Sequence, residues 1–290
     1  MLKFIRSDCE AGKAITTRRE SPDSQQPADR RAELSLEHLK TEGPYPVYRL
    51  RRLRDYIGLL EKHLSNEFAI FRGQSRDWEL VPRIASRQHV MPILDNERAM
   101  FNAFKHEAIS FLDPEPSSEW EWLAVAQHHG LPTRLLDWST NALGALWFAV
   151  RHPAASSNPG VIWIYMPEDS DVIRSTGVEN SPFSADTIKI YLPRHTFGRL
   201  RSQSGAFTVH TYLHDQGRFL PLDESPLQNH RLIKILIPAD SFPLIRHDLY
   251  RCGIHAGSLF PDVGGTAERI RNMYVYQEDE DQDTVLKWKY

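Results

Sequence analysis

The stretch Gln127-His128-His129-Gly130-Leu131-Pro132-Thr133-Arg134-Leu135-Leu136-Asp137-Trp138-Ser139 sets an amide, two imidazoles, a guanidinium, a carboxylate and hydroxyls among leucines, a tryptophan and a proline. A solvated loop has no need of the apolar residues, and a plain core segment does not carry so many polar groups that are costly to bury. The pattern is that of a half-buried polar site. A second, shorter stretch answers it upstream. The apolar run Phe68-Ala69-Ile70-Phe71 leads directly into Arg72-Gly73-Gln74. That order places a permanent cation at a strand end, where glycine lets a ligand or another backbone approach closely.

The rest of the composition sets bounds. A chain of 290 residues, 41% hydrophobic and 25% charged, is long enough for a sizeable core and ordinary for a globular protein. A formal net charge of −3 gives no global electrostatic case for nucleic acid or membrane binding. Cys9 and Cys252 are the only cysteines, which excludes a disulfide framework and a multi-cysteine zinc site and fits a reducing compartment. The start, Met1-Leu2-Lys3-Phe4-Ile5-Arg6-Ser7-Asp8, turns to charge before a secretory apolar region forms. No run approaches the ~18 apolar residues of a membrane span, so a cytoplasmic location is expected.

Along the chain, residues 1–40 read as a disordered polar leader, mobile before about Leu36, because they lack the apolar area to offset ordering. The folded part is expected from Pro44 to Tyr276, followed by an acidic tail at 277–290 whose run Glu278–Asp283 reads as solvated. Leu50, Leu53, Ile57, Leu60 and Leu64 have helical spacing. Helices are also expected over Asn96–Leu112, ended by Asp113-Pro114-Glu115-Pro116, and from Ser118 into the His-Gly-Leu-Pro turn. Ala142–Val150 is apolar nearly all round, which predicts a helix buried in the middle of the domain. Val161–Met166, Ile188–Leu192, Ala206–Tyr212 and Leu232–Pro238 read as strands, with another at Met273–Tyr276. Helical stretches are expected at Ser241–Tyr250 and within Gly253–Arg271. Helices early and strands late, without βαβ alternation, predict a single α+β domain with a mostly antiparallel, strand-rich second half.

Phe-Arg-Gly-Gln, the long Gln127–Ser139 stretch with Thr140-Asn141, and Ala145-Leu146-Trp147-Phe148-Ala149 together resemble the FRG domain family. Arg201-Ser202-Gln203-Ser204-Gly205-Ala206-Phe207-Thr208 and Leu259-Phe260-Pro261-Asp262 extend the likeness over roughly residues 65–270. A more distant resemblance is to mono-ADP-ribosyltransferases of the arginine–serine–glutamate type. In those, an aromatic-Arg-Gly strand is followed by a Ser/Thr-containing strand end leading into a helix, and a later strand supplies a glutamate. Arg72 matches the first element, and Asp137-Trp138-Ser139-Thr140 with the helix after it matches the second. Gln203 stands where the glutamate would fall.

That likeness implies ADP-ribosyltransferase-like split sheets and NAD as a substrate, with the protein a transferase or NAD glycohydrolase. Arg72, Gly73, Arg134 and Ser139 would then bind the dinucleotide, and Asp137, Gln203 and His129 would act on it. Such an activity suits a toxin or antiviral effector with an antitoxin or regulatory partner. A guanidinium fork suits a pyrophosphate, and a carboxylate stabilises the oxocarbenium-like ribose formed as nicotinamide leaves. Asp262 is another possible stand-in for the glutamate. Glu119 and Glu121 precede the second motif, which argues against them.

The alternative is a non-catalytic module binding a nucleotide, a nucleic-acid end or a protein partner, and a third reading is a nuclease using His129 and Asp137. Each residue also has a plainer role. Arg72 pairs with Asp137 in the core; Asp137 or Ser139 caps the next helix; His128 and His129 sit at a helix end; Gly264-Gly265 begins a helix. His210 and His214 lack further ligands at metal spacing, and Trp120, Trp122, Trp138, Trp147 and Trp163 read as core. If the site is real, Arg72, His129, Arg134, Asp137 and Gln203 converge on one concave surface.

Overall fold

The structure is a computed structural model and describes residues 37–39, 43–64, 67–85, 93–155, 158–176, 180–193, 205–283 and 285. In chain order the main elements are β1 (Glu37–Leu39), β2 (Val47–Arg49), α1 (Leu53–Leu64), β3 (Ile70–Gln74), α2 (Ile93–Ala108), α3 (Glu119–His128), β4 (Leu135–Ser139) and α4 (Ala142–Val150). There follow β5 (Gly160–Tyr165), β6 (Lys189–Tyr191), β7 (Gly205–Val209), β8 (Tyr212–Leu213), β9 (Arg218–Phe219) and β10 (Leu232–Ile237). Three helices close the fold: α5 (Phe242–Arg251), α6 (Ala256–Leu259) and α7 (Val263–Tyr274).

Eight strands form one mixed sheet in the order β1-β2-β10-β5-β3-β4-β7-β6, while β8 and β9 make a separate hairpin. Among the described strands only the β2–β10 pairing is parallel, and an isolated parallel bridge joins Val172 to Ile190 of β6. The expected α+β class with mostly antiparallel strands is therefore observed, but as one hydrogen-bonded sheet rather than two. Its weakest joint is informative. β3 pairs with β5 from Ile70↔Tyr165 to Gln74↔Val161, and β4 pairs with β7 from Leu135↔Val209 to Ser139↔Gly205, yet β3 and β4 meet only at Phe71↔Ser139.

Both faces of the sheet are covered, which is why β5 reads Gly-Val-Ile-Trp-Ile-Tyr with every residue buried and no alternation. Phe71, Ile162, Ile164, Ile233 and Ile235 pack against α1, α4 and α5 on one face. Ile70, Trp138, Trp163, Tyr165 and Ile190 pack against Leu80 and Leu222 from connecting segments on the other. A third cluster seats Phe101 of α2 and Trp120 of α3 on Leu135, Tyr191 and Phe207. All five tryptophans read as core are buried.

Three expectations fail locally. β1 and β2 arise where no strand is predicted, because three-residue strands are too short to show alternation. Met273–Tyr276 is not a strand, since α7 runs through Tyr274 and its end is closed by the Val275 N–H on Arg271 O. The acidic run is not simply solvated. Arg246, itself buried, holds Asp279 at 2.5 Å and Glu280 at 3.1 Å, and donates to Val150 O. The leader before Leu36 lies outside the described residues.

Candidate functional site

The short β3–β4 joint organises the long motif. Past Phe71↔Ser139 the strands separate, so the β4 carbonyls of Leu135 and Asp137, two residues apart on the same edge, lose strand partners. Side chains replace the ladder. Gln127 Nε2 donates to Leu135 O at 3.3 Å, and Arg72 Nη1 donates to Asp137 O at 2.6 Å. Gln127 Nε2 also reaches Asp137 Oδ2 at 3.0 Å, while its Oε1 accepts from Thr133 Oγ1 at 2.7 Å. Thr133 Oγ1 in turn accepts from Leu135 N at 3.1 Å. Several of the polar groups thus serve to satisfy a buried backbone edge.

The turn itself is a helix stop. Gly130, at φ 93°, follows the C-cap His129; its N–H bonds Gln127 O and the Leu131 N–H bonds Ala126 O. His129 is exposed there and packs edge-on against half-buried His128, with ring centroids 5.1 Å apart. Nothing in the described structure joins His129 to Asp137, so a His129–Asp137 nuclease pair gains no support.

Arg134 is brought near the site but is already engaged. It makes a two-pronged pair with Glu97, Nε–Oε1 at 2.8 Å and Nη2–Oε2 at 2.5 Å, and Nη1 reaches Pro182 O and Phe183 O. The side chains of Arg134 and Glu97 are 7% and 4% exposed. A cofactor-binding role for Arg134 is therefore corrected to a buried structural pair, set in the wall of a cavity of about 410 Å³ that Tyr212 and His214 also line. Gly73 is corrected too. A Cβ there would lie 1.8 Å from Ala145 O and 2.9 Å from Ala149 N, so α4, not a ligand, occupies its bare face.

Ser139 is buried and its Oγ accepts from Asn141 N at 3.0 Å. The cap of α4 is Asn141, whose Oδ1 accepts from Gly144 N at 2.9 Å, and neither Asp137 nor Ser139. Asp262 caps α7 through Gly265 N at 2.8 Å, placing a carboxylate where a phosphate at Gly264-Gly265 would sit. Glu119 is tied to Arg98 and Ser181, and Glu121 to Ser117. Gln203 lies outside the described residues.

What is left is Arg72 and its surroundings. Asp137 is the one exposed residue of β4, and its carboxylate raises the pKa of Arg72 against the larger lowering by burial. No carboxylate forms an ion pair with Arg72 among the described residues. Its Nε is enclosed without a partner, as are Gln74 Oε1 two residues on and Trp163 Nε1 directly across in β5. Two donors and an acceptor are thus unmet in adjacent positions, a costly arrangement for groups so enclosed.

Sequence reasoning missed a network beside them. Trp138 Nε1 donates to Thr208 Oγ1 at 3.0 Å, Thr208 Oγ1 lies 3.0 Å from His210 Nε2, and His210 Nδ1 lies 2.9 Å from Leu220 O. Leu220 O only accepts, so Nδ1 carries the proton and Nε2 accepts from Thr208. Burial lowers the His210 pKa to about 4, and Arg72 pushes it the same way, which keeps the ring neutral at pH 7. The strand alternation of Thr208 and His210 gave no signal for this.

Residues 67–158 match the FRG domain, so the chain carries an FRG domain over that stretch. No curated protein and no solved structure matches the chain, and the likeness to mono-ADP-ribosyltransferases has no match behind it.

Proposed function

We propose that this FRG-domain protein binds NAD at Arg72 and Asp137 and cleaves its nicotinamide–ribose bond, as an ADP-ribosyltransferase-like transferase or NAD glycohydrolase. One observation supports the reading above the others. Arg72 is a half-buried cation without an ion-pair partner among the described residues, with an enclosed, orphaned Nε beside an orphaned Gln74 Oε1. An enclosed charge of this kind is stabilised by an anion, and a guanidinium fork suits the pyrophosphate.

In the chemistry, the glycosidic electron pair leaves with nicotinamide and the ribose carbon becomes cationic. Water or an acceptor nucleophile then adds to it and loses a proton. The exposed Asp137 carboxylate, held by Gln127, is the group assigned to stabilise the cation. Incubation with NAD labelled in the nicotinamide tests this. Release by the wild type, falling at least about 100-fold in Asp137→Asn with NAD affinity kept, is expected. NAD binding without release sinks the catalytic part.

A second reading, a non-catalytic nucleotide-binding module, is favoured by one specific fact: Gln127 spans Asp137 Oδ2 and Leu135 O, which gives that carboxylate a tethering role.

A further inference from the structure

A cavity of about 490 Å³ lies away from Arg72 and Asp137, neither of which lines it. It is walled by α4, α5, α6, α7 and the segment after α7 that Arg246 pins through Asp279 and Glu280. Its charge is one-sided. Among the described residues, Arg151, Arg246, Arg251 and Arg269 line it against a single carboxylate, Glu280, in a chain whose net charge is −3. Arg246 is consumed by its pairs. Among the described residues, Arg269 bonds only Met273 Sδ, at 3.4 Å, and no carboxylate pairs with Arg251 or Arg151. The guanidinium of Arg151 instead lies 5.2 Å from the Trp147 ring centroid, and its Nε bonds His152 Nε2 at 2.9 Å.

The positive field acts on its neighbours. His255 and His152 have pKa values lowered first by burial, then by Arg269 and Arg151 respectively. Part of the remaining wall is aromatic, with the rings of Tyr250 and His255 5.4 Å apart and tilted by 42°, beside Ile254. It also offers an acceptor. Gln277 gives Nε2 to Arg151 O, which fixes the amide orientation, and keeps Oε1 enclosed without a partner among the described residues.

We infer that this cavity is a second ligand site, built for a nucleoside monophosphate. Arg269 and Arg251 take the phosphate, the Tyr250–His255 wall takes the planar ring, and Gln277 Oε1 accepts from an N–H of the base. The volume is in the range of small-ligand pockets. Nothing in this assignment depends on NAD binding at Arg72.

Calorimetric titration of the full chain with adenosine monophosphate, adenosine and inorganic phosphate tests it. Saturable binding of the monophosphate is expected, with adenosine and phosphate each at least about tenfold weaker. Arg269→Glu should weaken the monophosphate at least about tenfold, and Arg174→Glu, at an exposed arginine that does not line the cavity, should leave it unchanged. Arg251 is exposed, so Arg251→Glu repeats the test without touching the core, with a loss of at least about threefold expected. No saturable binding overturns the inference. So does phosphate binding as tightly as the nucleotide, or nucleotide binding that ignores both reversals.

Discussion

Gly73→Ala is expected to leave the domain unfolded, or to cost it more than about 3 kcal/mol in urea denaturation. The added methyl would lie 1.8 Å from Ala145 O and 2.9 Å from Ala149 N. These are backbone atoms of α4, which cannot turn aside as a flexible side chain does. The helix is buried between the sheet and its neighbours, with Leu146, Ala149 and Val150 all fully enclosed, so it has nowhere to move. If instead the glycine leaves room for a ligand, Gly73→Ala keeps its stability and loses only binding. A melting temperature equal to wild type would refute the packing account.

The buried pair Arg134–Glu97 gives the next largest effect. Removing one partner strands a charge in the interior, and Arg134→Ala or Glu97→Ala alone should cost about 3–5 kcal/mol. Arg134→Met combined with Glu97→Leu removes both charges with similar volume and should recover most of that loss. Urea midpoints of Arg134→Met, Glu97→Leu and the double variant close the cycle. An Arg134 held for a ligand predicts the opposite: singles near wild type and no recovery in the double.

Most of the scaffold was legible in the sequence because its signals are long. The apolar Ala142–Val150 run gives the central helix, and the β-branched run of β5 gives the central strand. The Gln127–Ser139 polarity identified a half-buried segment, but not its purpose. Gln127, Thr133 and Arg72 satisfy strand-edge carbonyls left open where β3 and β4 part, and that parting is a tertiary fact no local pattern contains.

Glu97 could have been found. It lies on the apolar stripe of Phe101, Phe104 and Ala108, a position where an acid needs a buried cation. The docking of Asp279 and Glu280 on Arg246 could not, because a distant helix decides which charges in an acidic run are covered. β1 and β2 escaped for want of length. The glycine of the Phe-Arg-Gly element permits close approach by ligand or backbone, and the backbone of α4 takes that place.

The central claim is that Arg72 keeps part of its guanidinium for an anionic ligand, and titration of NAD into wild type, Arg72→Lys and Arg72→Ala tests it most directly. Lysine can still donate to Asp137 O and so preserve the sheet joint, but it lacks the planar fork. The account predicts saturable NAD binding by the wild type and at least about tenfold weaker binding by Arg72→Ala. It predicts that Arg72→Lys melts with the wild type and recovers only part of that affinity. No NAD binding by the wild type, or undiminished binding by a folded Arg72→Lys protein, would contradict it.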